Sequence, residues 1–279
     1  MRKTKRRVLG QHFLANRSLL RKIVSIIDPG KDDLVIEIGA GKGALTMPLA
    51  EKAGKVVAVE KDRTLIPHLE SLGMPNIEII EADILAVDLP GLILRRKGLL
   101  RNAKFAGNLP YSISSPLLFR ILEARDHFSE AFFLLQKEVA ERIAAGPGTK
   151  KYAPLSIFFQ NEFVVKVEIS VSPGSFSPPP RVDSALISLK KRETPLFSPA
   201  DGRDFSEFVK AAFAQRRKIL WKNLRRLDIL PARLDAAREK LGLDRAARAE
   251  ELSIGQFAGL YRLLREETTP GPTNPPGRF

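Results

Sequence analysis

Cysteine is absent from this chain. Disulfides, thiolate metal sites and thiol nucleophiles are therefore excluded together. Histidine is nearly as scarce. His12, His68 and His127 are the only three, which argues against a multi-histidine metal site. Long apolar runs are missing too: none approaches the roughly 18 residues needed to span a bilayer. The basic start, Met1 to Arg7, is not followed by an apolar signal core. The expectation is a cytoplasmic, monomeric protein with no membrane attachment and no metal. Its chemistry must run on carboxylates, amides, hydroxyls, backbone groups or a bound organic cofactor.

Acidic residues are in the minority. Lys and Arg number 46 against 32 Asp and Glu, a formal net charge of +14. Clustered lysine and arginine release counterions from phosphates, so nucleic acid is the first partner this charge implies. Residues 1–7 hold five of the basic residues and read as a flexible arm. A second cluster, Gln215-Arg216-Arg217-Lys218 with Lys222, Arg225 and Arg226, stands beside Leu220, Leu224 and Leu227.

Between these clusters the chain alternates short apolar runs with amphipathic ones. Leu34–Ile38, Val56–Val59, Ile77–Ile80, Ala103–Ala106 and Ala131–Leu135 read as buried parallel strands. The helical patterns between them predict a doubly wound α/β sheet. Phe163–Val171 and Val182–Lys190 read as a strand pair at the sheet edge, joined by a proline-stiffened loop carrying Phe176. From Thr194 the pattern turns helical, and residues 267–279, rich in proline, are expected to be disordered.

Ligands of such sheets bind beyond the carboxyl ends of the strands. Gly39, Glu60, Asp83 and Asn108 all fall there, spaced by 21, 23 and 25 residues, about one βα unit each. The run Glu37-Ile-Gly39-Ala-Gly41-Lys-Gly43 is similar to a dinucleotide fingerprint, but its glycines fall at every second position and a carboxylate stands directly before it. NAD stays open as a ligand. Glu37 is a poor neighbour for pyrophosphate and a tolerable one for a cation, which favours S-adenosyl-L-methionine. Glu60 is placed to bridge the ribose hydroxyls and Asp83 to accept from the adenine amine. His12, in Gly10-Gln-His-Phe-Leu14, is placed to fold over the methionine half. At the turn Asn108-Leu109-Pro110-Tyr111, the Asn108 side-chain oxygen and the Leu109 carbonyl are positioned to accept from an exocyclic amine. Tyr111 offers a face for a base, and Phe176 a second wall. Missing cysteine argues against C5-pyrimidine methylation, which needs a thiol nucleophile.

Together Gly10–Leu14, Glu37–Gly41, Gly107–Tyr111, Leu135–Val139, Phe176–Ser184 and Ala212–Lys218 resemble the rRNA adenine N6-dimethyltransferases. Within that family the C-terminal features favour the bacterial branch acting on small-subunit rRNA. The resemblance implies a Rossmann-like class I methyltransferase sheet with a small all-helical C-terminal domain. On that basis residues 1–193 form the S-adenosylmethionine-binding catalytic domain, with 1–9 as a flexible arm. Residues 194–266 form an rRNA-contacting domain. The implied activity is dimethylation of two adjacent adenosines in the 3′-terminal hairpin loop of 16S rRNA in the assembling 30S subunit, with S-adenosyl-L-homocysteine as product. Donor contacts are implied at His12, Leu14, Gly39, Glu60, Asp83 and Asn108. Target-base contacts are implied at Asn108, Leu109, Tyr111 and Phe176, and rRNA contacts at Arg216, Arg217, Lys218, Lys222 and Arg225. Two rivals stay open at this point: a DNA adenine methyltransferase using the same turn, and a non-catalytic RNA-binding assembly factor on the same fold.

Overall fold

The computed structural model describes residues 11–265. The expectations for residues 1–9 and 267–279 fall outside the described residues. The chain divides into two compact units, one running to Ala144 and including Phe163–Glu193, the other made of Ala145–Glu162 and everything from Thr194.

The first unit is a seven-stranded sheet flanked by helices. In chain order its elements are β1 (Phe13–Leu14), α1 (Arg17–Ile27), β2 (Asp33–Ile38), α2 (Thr46–Ala50), β3 (Lys55–Glu60), α3 (Ile66–Glu70), β4 (Ile77–Glu81), α4 (Leu89–Lys97), β5 (Asn102–Asn108), α5 (Ser114–Glu123), β6 (Glu130–Gln136), α6 (Lys137–Ala144), β7 (Phe163–Val171), β8 (Phe176–Ser177) and β9 (Ser184–Lys191). The strand order is β4-β3-β2-β5-β6-β9-β7, with a separate β1–β8 pair. Strands β4, β3, β2, β5 and β6 are parallel; β9 runs antiparallel to both β6 and β7. This is a class I methyltransferase sheet.

The local causes are readable residue by residue. Every residue of β2 is buried, as a central parallel strand with helices on both faces requires. Gly107 lets β5 lie against β2, since a Cβ there would stand 2.5 Å from the Ile38 carbonyl oxygen. Helix α1 starts where Asn16 accepts from the Leu19 amide at 3.0 Å, and it ends at Asp28, a left-handed residue whose amide donates to Val24. Its buried face is Ile23, Val24 and Ile27. Among the described residues no helix is long and apolar enough to cross a membrane.

The second unit holds α7 (Pro154–Glu162), α8 (Gly202–Ala212), α9 (Leu220–Leu224), α10 (Pro231–Lys240) and α11 (Ile254–Leu264). Its core is aromatic: Tyr261 meets Phe205 edge-on at 5.2 Å and Phe208 at 5.6 Å, and Phe197 meets Phe205 at 5.0 Å. Asp201 caps α8, and a Ser253–Gln256 capping box opens α11. Residues 145–162, which a single cut at 194 leaves with the sheet, belong here. Asn161 explains much of that: its side chain accepts from the Phe197 amide and donates to the Phe197 carbonyl, both at 2.8 Å.

Candidate active site

Four of the sheet's loops meet beyond the carboxyl ends of β2, β3, β4 and β5, where they line one cavity together with Gln11, His12 and Phe13. The turn after β2 is shaped by left-handed glycines. Gly39 and Gly41 have φ of +71° and +61°, a conformation that favours glycine. Added bulk at Gly41 would meet the Phe13 ring at 3.0 Å. The ring thus closes against bare backbone, and the Lys42 ammonium lies 5.4 Å from its centroid.

Glu60 ends β3 and is nearly inaccessible, yet it borders the cavity. One carboxylate oxygen accepts from the Gly41 amide and the other from the Asp62 amide, both at 2.8 Å. Each oxygen keeps a lone pair for a ligand hydroxyl. Asp83 lies past β4; its carboxylate accepts from Lys61 Nζ at 2.6 Å and from the Leu85 amide at 3.1 Å. The Lys61 bond holds the Asp83 carboxyl below its usual range. Glu37, one residue before the end of β2, is fully buried. Its Oε2 has no hydrogen-bond partner among the described residues, and burial pushes its carboxyl up to about 8, with Glu60 acting in the same direction. Gln11 Oε1 is a second buried acceptor without a partner, and Gln11 lines the cavity.

Asn108 ends β5. Its Nδ2 donates to the His12 carbonyl at 2.6 Å. A carbonyl partner demands the amide's donor side, so Oδ1 is left as the acceptor. The next peptide is fixed as well, since the Leu109 amide donates to the Leu134 carbonyl at 3.1 Å. Tyr111 opens a 3-10 turn, Tyr111–Ile113, and its hydroxyl lies 2.5 Å from Ser184 Oγ. The His12 ring stands 5.7 Å from the Tyr111 ring at 35°. His12 Nδ1 lies 2.7 Å from the Pro178 carbonyl oxygen and must carry the proton, which leaves Nε2 unprotonated in the neutral ring.

The cavity therefore brings together His12, Gly39, Glu60, Asp83, Asn108, Leu109 and Tyr111. It does not bring in Leu14 or Phe176. These two are register partners in the β1–β8 pair and are 8% and 4% exposed, packed in one core cluster with α1. The expected second wall opposite Tyr111 is not formed by Phe176 in this structure. An aromatic ring gains more from burial against that core than from standing in a wet cleft. In the helical unit, Arg217, Lys218, Lys222 and Arg225 are exposed. Arg216 differs from them: its guanidinium pairs with Glu250 at 2.9 Å and also donates to the Lys150 carbonyl. Sequence reasoning gave no role to Gln11, Lys61 or Ser184. Gln11 and Ser184 fall inside motifs already singled out, and Lys61 follows Glu60 directly, which was the available signal.

A profile described as ribosomal RNA adenine dimethylase matches residues 2–266. The chain belongs to the ribosomal RNA adenine dimethylase family. As a member it is an rRNA adenine methyltransferase, and the strand-end cavity is where the fold places such a site. The chain is 46% identical over 268 residues to the ribosomal RNA small subunit methyltransferase A of Geobacter sulfurreducens, covering 93% of this chain and 95% of the relative. A crystal structure of a dimethyladenosine transferase from Plasmodium falciparum superposes with a TM-score of 0.74 at 26% identity, covering 89% of this chain and 96% of that one. The crystal structure of the 23S rRNA methyltransferase ErmE superposes with a TM-score of 0.70 at 28% identity, covering 90% and 99%.

Proposed function

We propose that this protein dimethylates N6 of two adjacent adenosines in the 3′-terminal hairpin loop of 16S rRNA, in the assembling 30S subunit, with S-adenosyl-L-methionine as donor. The locked Asn108 amide carries this reading, and the small-subunit name of the Geobacter relative gives its direction. S-adenosylmethionine, when bound, supplies an electrophilic methyl group on a sulfonium and leaves as S-adenosylhomocysteine. The residues present suit such a ligand. Gln11 Oε1, on the cavity wall, is a buried acceptor in need of a donor, which favours a proton-bearing group. Glu60 would hold the ribose hydroxyls, Asp83 the adenine amine and Gly39 the chain between them, with His12 beside Asn108.

The target amine is a weak nucleophile because its lone pair is spread into the ring. Asn108 Oδ1 and the Leu109 carbonyl would accept hydrogen bonds from its two N–H groups and draw the nitrogen toward a tetrahedral form. The held amide and the fixed Leu109 peptide supply the alignment on which an in-line displacement depends. After one transfer the methylated amine releases one proton to solvent, a single N–H remains, and either acceptor suffices to hold it. Tyr111 would stack on the base, which must be unpaired to enter. Arg217, Lys218, Lys222 and Arg225 would meet rRNA phosphates. Incorporation of tritiated methyl into undermethylated 30S particles, with nucleoside analysis of the product, tests the reading. Dimethyladenosine at the 3′ loop supports it; donor binding with no dimethyladenosine made overturns it.

A further inference from the structure

We propose that Ser184 is a positioning residue for methyl transfer, setting the plane of the Tyr111 ring through their hydroxyl contact. The inference rests on the reading of Tyr111 as the face on which the target base stacks. A tyrosine ring turns about two side-chain torsions, and a stacking platform works only when both are held. Tyr111 sits in a one-turn 3-10 segment, outside the sheet. Ser184 is part of the sheet. It is fully buried and opens β9, in register with Gln136 of β6 on one side and Val171 of β7 on the other. The 2.5 Å contact between Tyr111 Oη and Ser184 Oγ therefore ties a loop ring to the part of the sheet held from both sides.

The chain just before Ser184 supplies a second hold. The His12 ring lies against the Tyr111 ring, and His12 Nδ1 donates to the carbonyl of Pro178. The β8–β9 connection and the start of β9 thus grip the ring at its hydroxyl and, through His12, beside its face. The same His12 supplies the carbonyl that orients Asn108. Two groups expected to touch the base, the amide and the ring, are held by parts of one connected set. Displacement of either by a fraction of an ångström would cost alignment rather than donor affinity.

The test compares S184A, S184T, Y111F, Y111A and the S184A/Y111F pair. The readouts are kcat and KM on undermethylated small-subunit particles, S-adenosylmethionine Kd by calorimetry, and Tm. S184A and Y111F are each expected to lower kcat about tenfold with donor Kd unmoved. The pair should lose no more than either single variant, because both remove the same contact. S184T, which keeps the hydroxyl, should recover most of the loss. A fall in Tm with kcat intact would make Ser184 a merely structural residue and overturn the inference. So would losses in S184A and Y111F that multiply. If S184A does not fold, Y111F decides alone, since it removes the contact from the cavity side. Y111A separates the two layers. If it lowers kcat while Y111F and S184A do not, stacking stands and the role of Ser184 fails. If Y111A too is silent, the stacking reading itself fails.

Discussion

Glu37 gives the site a stability signature that can be read without substrate. Its carboxyl is fully buried, and burial lifts it from an ordinary value of 4.5 to about 8. Between those two values the folded chain holds a proton that the unfolded chain releases. Stability from this group is therefore fully present below about 4.5 and is lost as pH rises toward 8. From pH 6 to pH 8 the loss amounts to about 2 kcal/mol, given 1.36 kcal/mol per unit and half-titration at the upper end. For a domain of this size that is roughly 4–8 °C in Tm. Glu37→Gln removes the titration and keeps the shape. Other titrating groups are common to both proteins, so the informative quantity is the difference between them. Thermal melts of the donor-free proteins at pH 6 and pH 8 should show the wild type losing about 2 kcal/mol relative to Glu37→Gln on going to the higher pH. A difference between the two that does not change with pH would refute the argument. It would mean that Glu37 is ionised at neutral pH and that its partnerless oxygen is satisfied by something else.

Phe176→Ala should act on stability first. A buried phenylalanine cut to alanine costs about 3–5 kcal/mol, so a thermal melt should drop well before donor affinity does; an unchanged melt would return the ring to the cavity. Neutralising Arg217 and Lys218 together should weaken RNA binding and flatten its log–log salt slope by about 0.7–0.9 per lost phosphate contact, measured by anisotropy over a salt series. Arg216→Ala should leave that slope nearly alone and lower the melting temperature instead, because its guanidinium serves Glu250 and Lys150. Asn108→Ala should cut methyl transfer by about 100-fold or more, in the range seen when a preorganised hydrogen-bonding group is removed. Single-turnover methylation at saturating donor is the measurement, and a loss of under tenfold would remove Asn108 from the chemistry.

Strand-end residues were legible because parallel sheets leave little choice. Once five apolar runs alternate with helices, the polar residue after each run must lie at one edge, so Glu60, Asp83 and Asn108 could be placed from spacing alone. What spacing cannot give is the direction in which a side chain turns. Phe176 stands within a proline-stiffened loop and suits an exposed wall as well as a core; its pairing with Leu14 through β1 and β8 decides the matter, and two-residue strands leave no periodicity to read. Arg216 looks like its neighbours in a run of four polar residues, and only the fold brings Glu250 to it. Helix α7 escaped for a related reason. Ser156, Ile157, Phe158, Phe159 and Asn161 are all buried, so the helix shows no polar face and none of the one-sided periodicity by which helices are recognised.

Buried charges lie at both edges of the sheet, and each edge answers them with its own partners. At the amino ends of β2, β5 and β6, Lys104 is held by Asp33 at 3.0 Å and Glu130 at 3.1 Å, and Asn102 donates to Asp33 at 3.0 Å. Burial alone would lower the Lys104 pKa, but its two carboxylate partners outweigh it and the value is raised. Burial would likewise raise Asp33, yet the Gly30 amide, Asn102 and Lys104 hold it low. Every charge there is answered from within the chain, as a structural network requires if desolvation is to be offset. At the carboxyl ends the Gly41 and Asp62 amides answer Glu60, and Gln11 Oε1 keeps no partner among the described residues. Gln11 lines the cavity, where a ligand's donor would complete it.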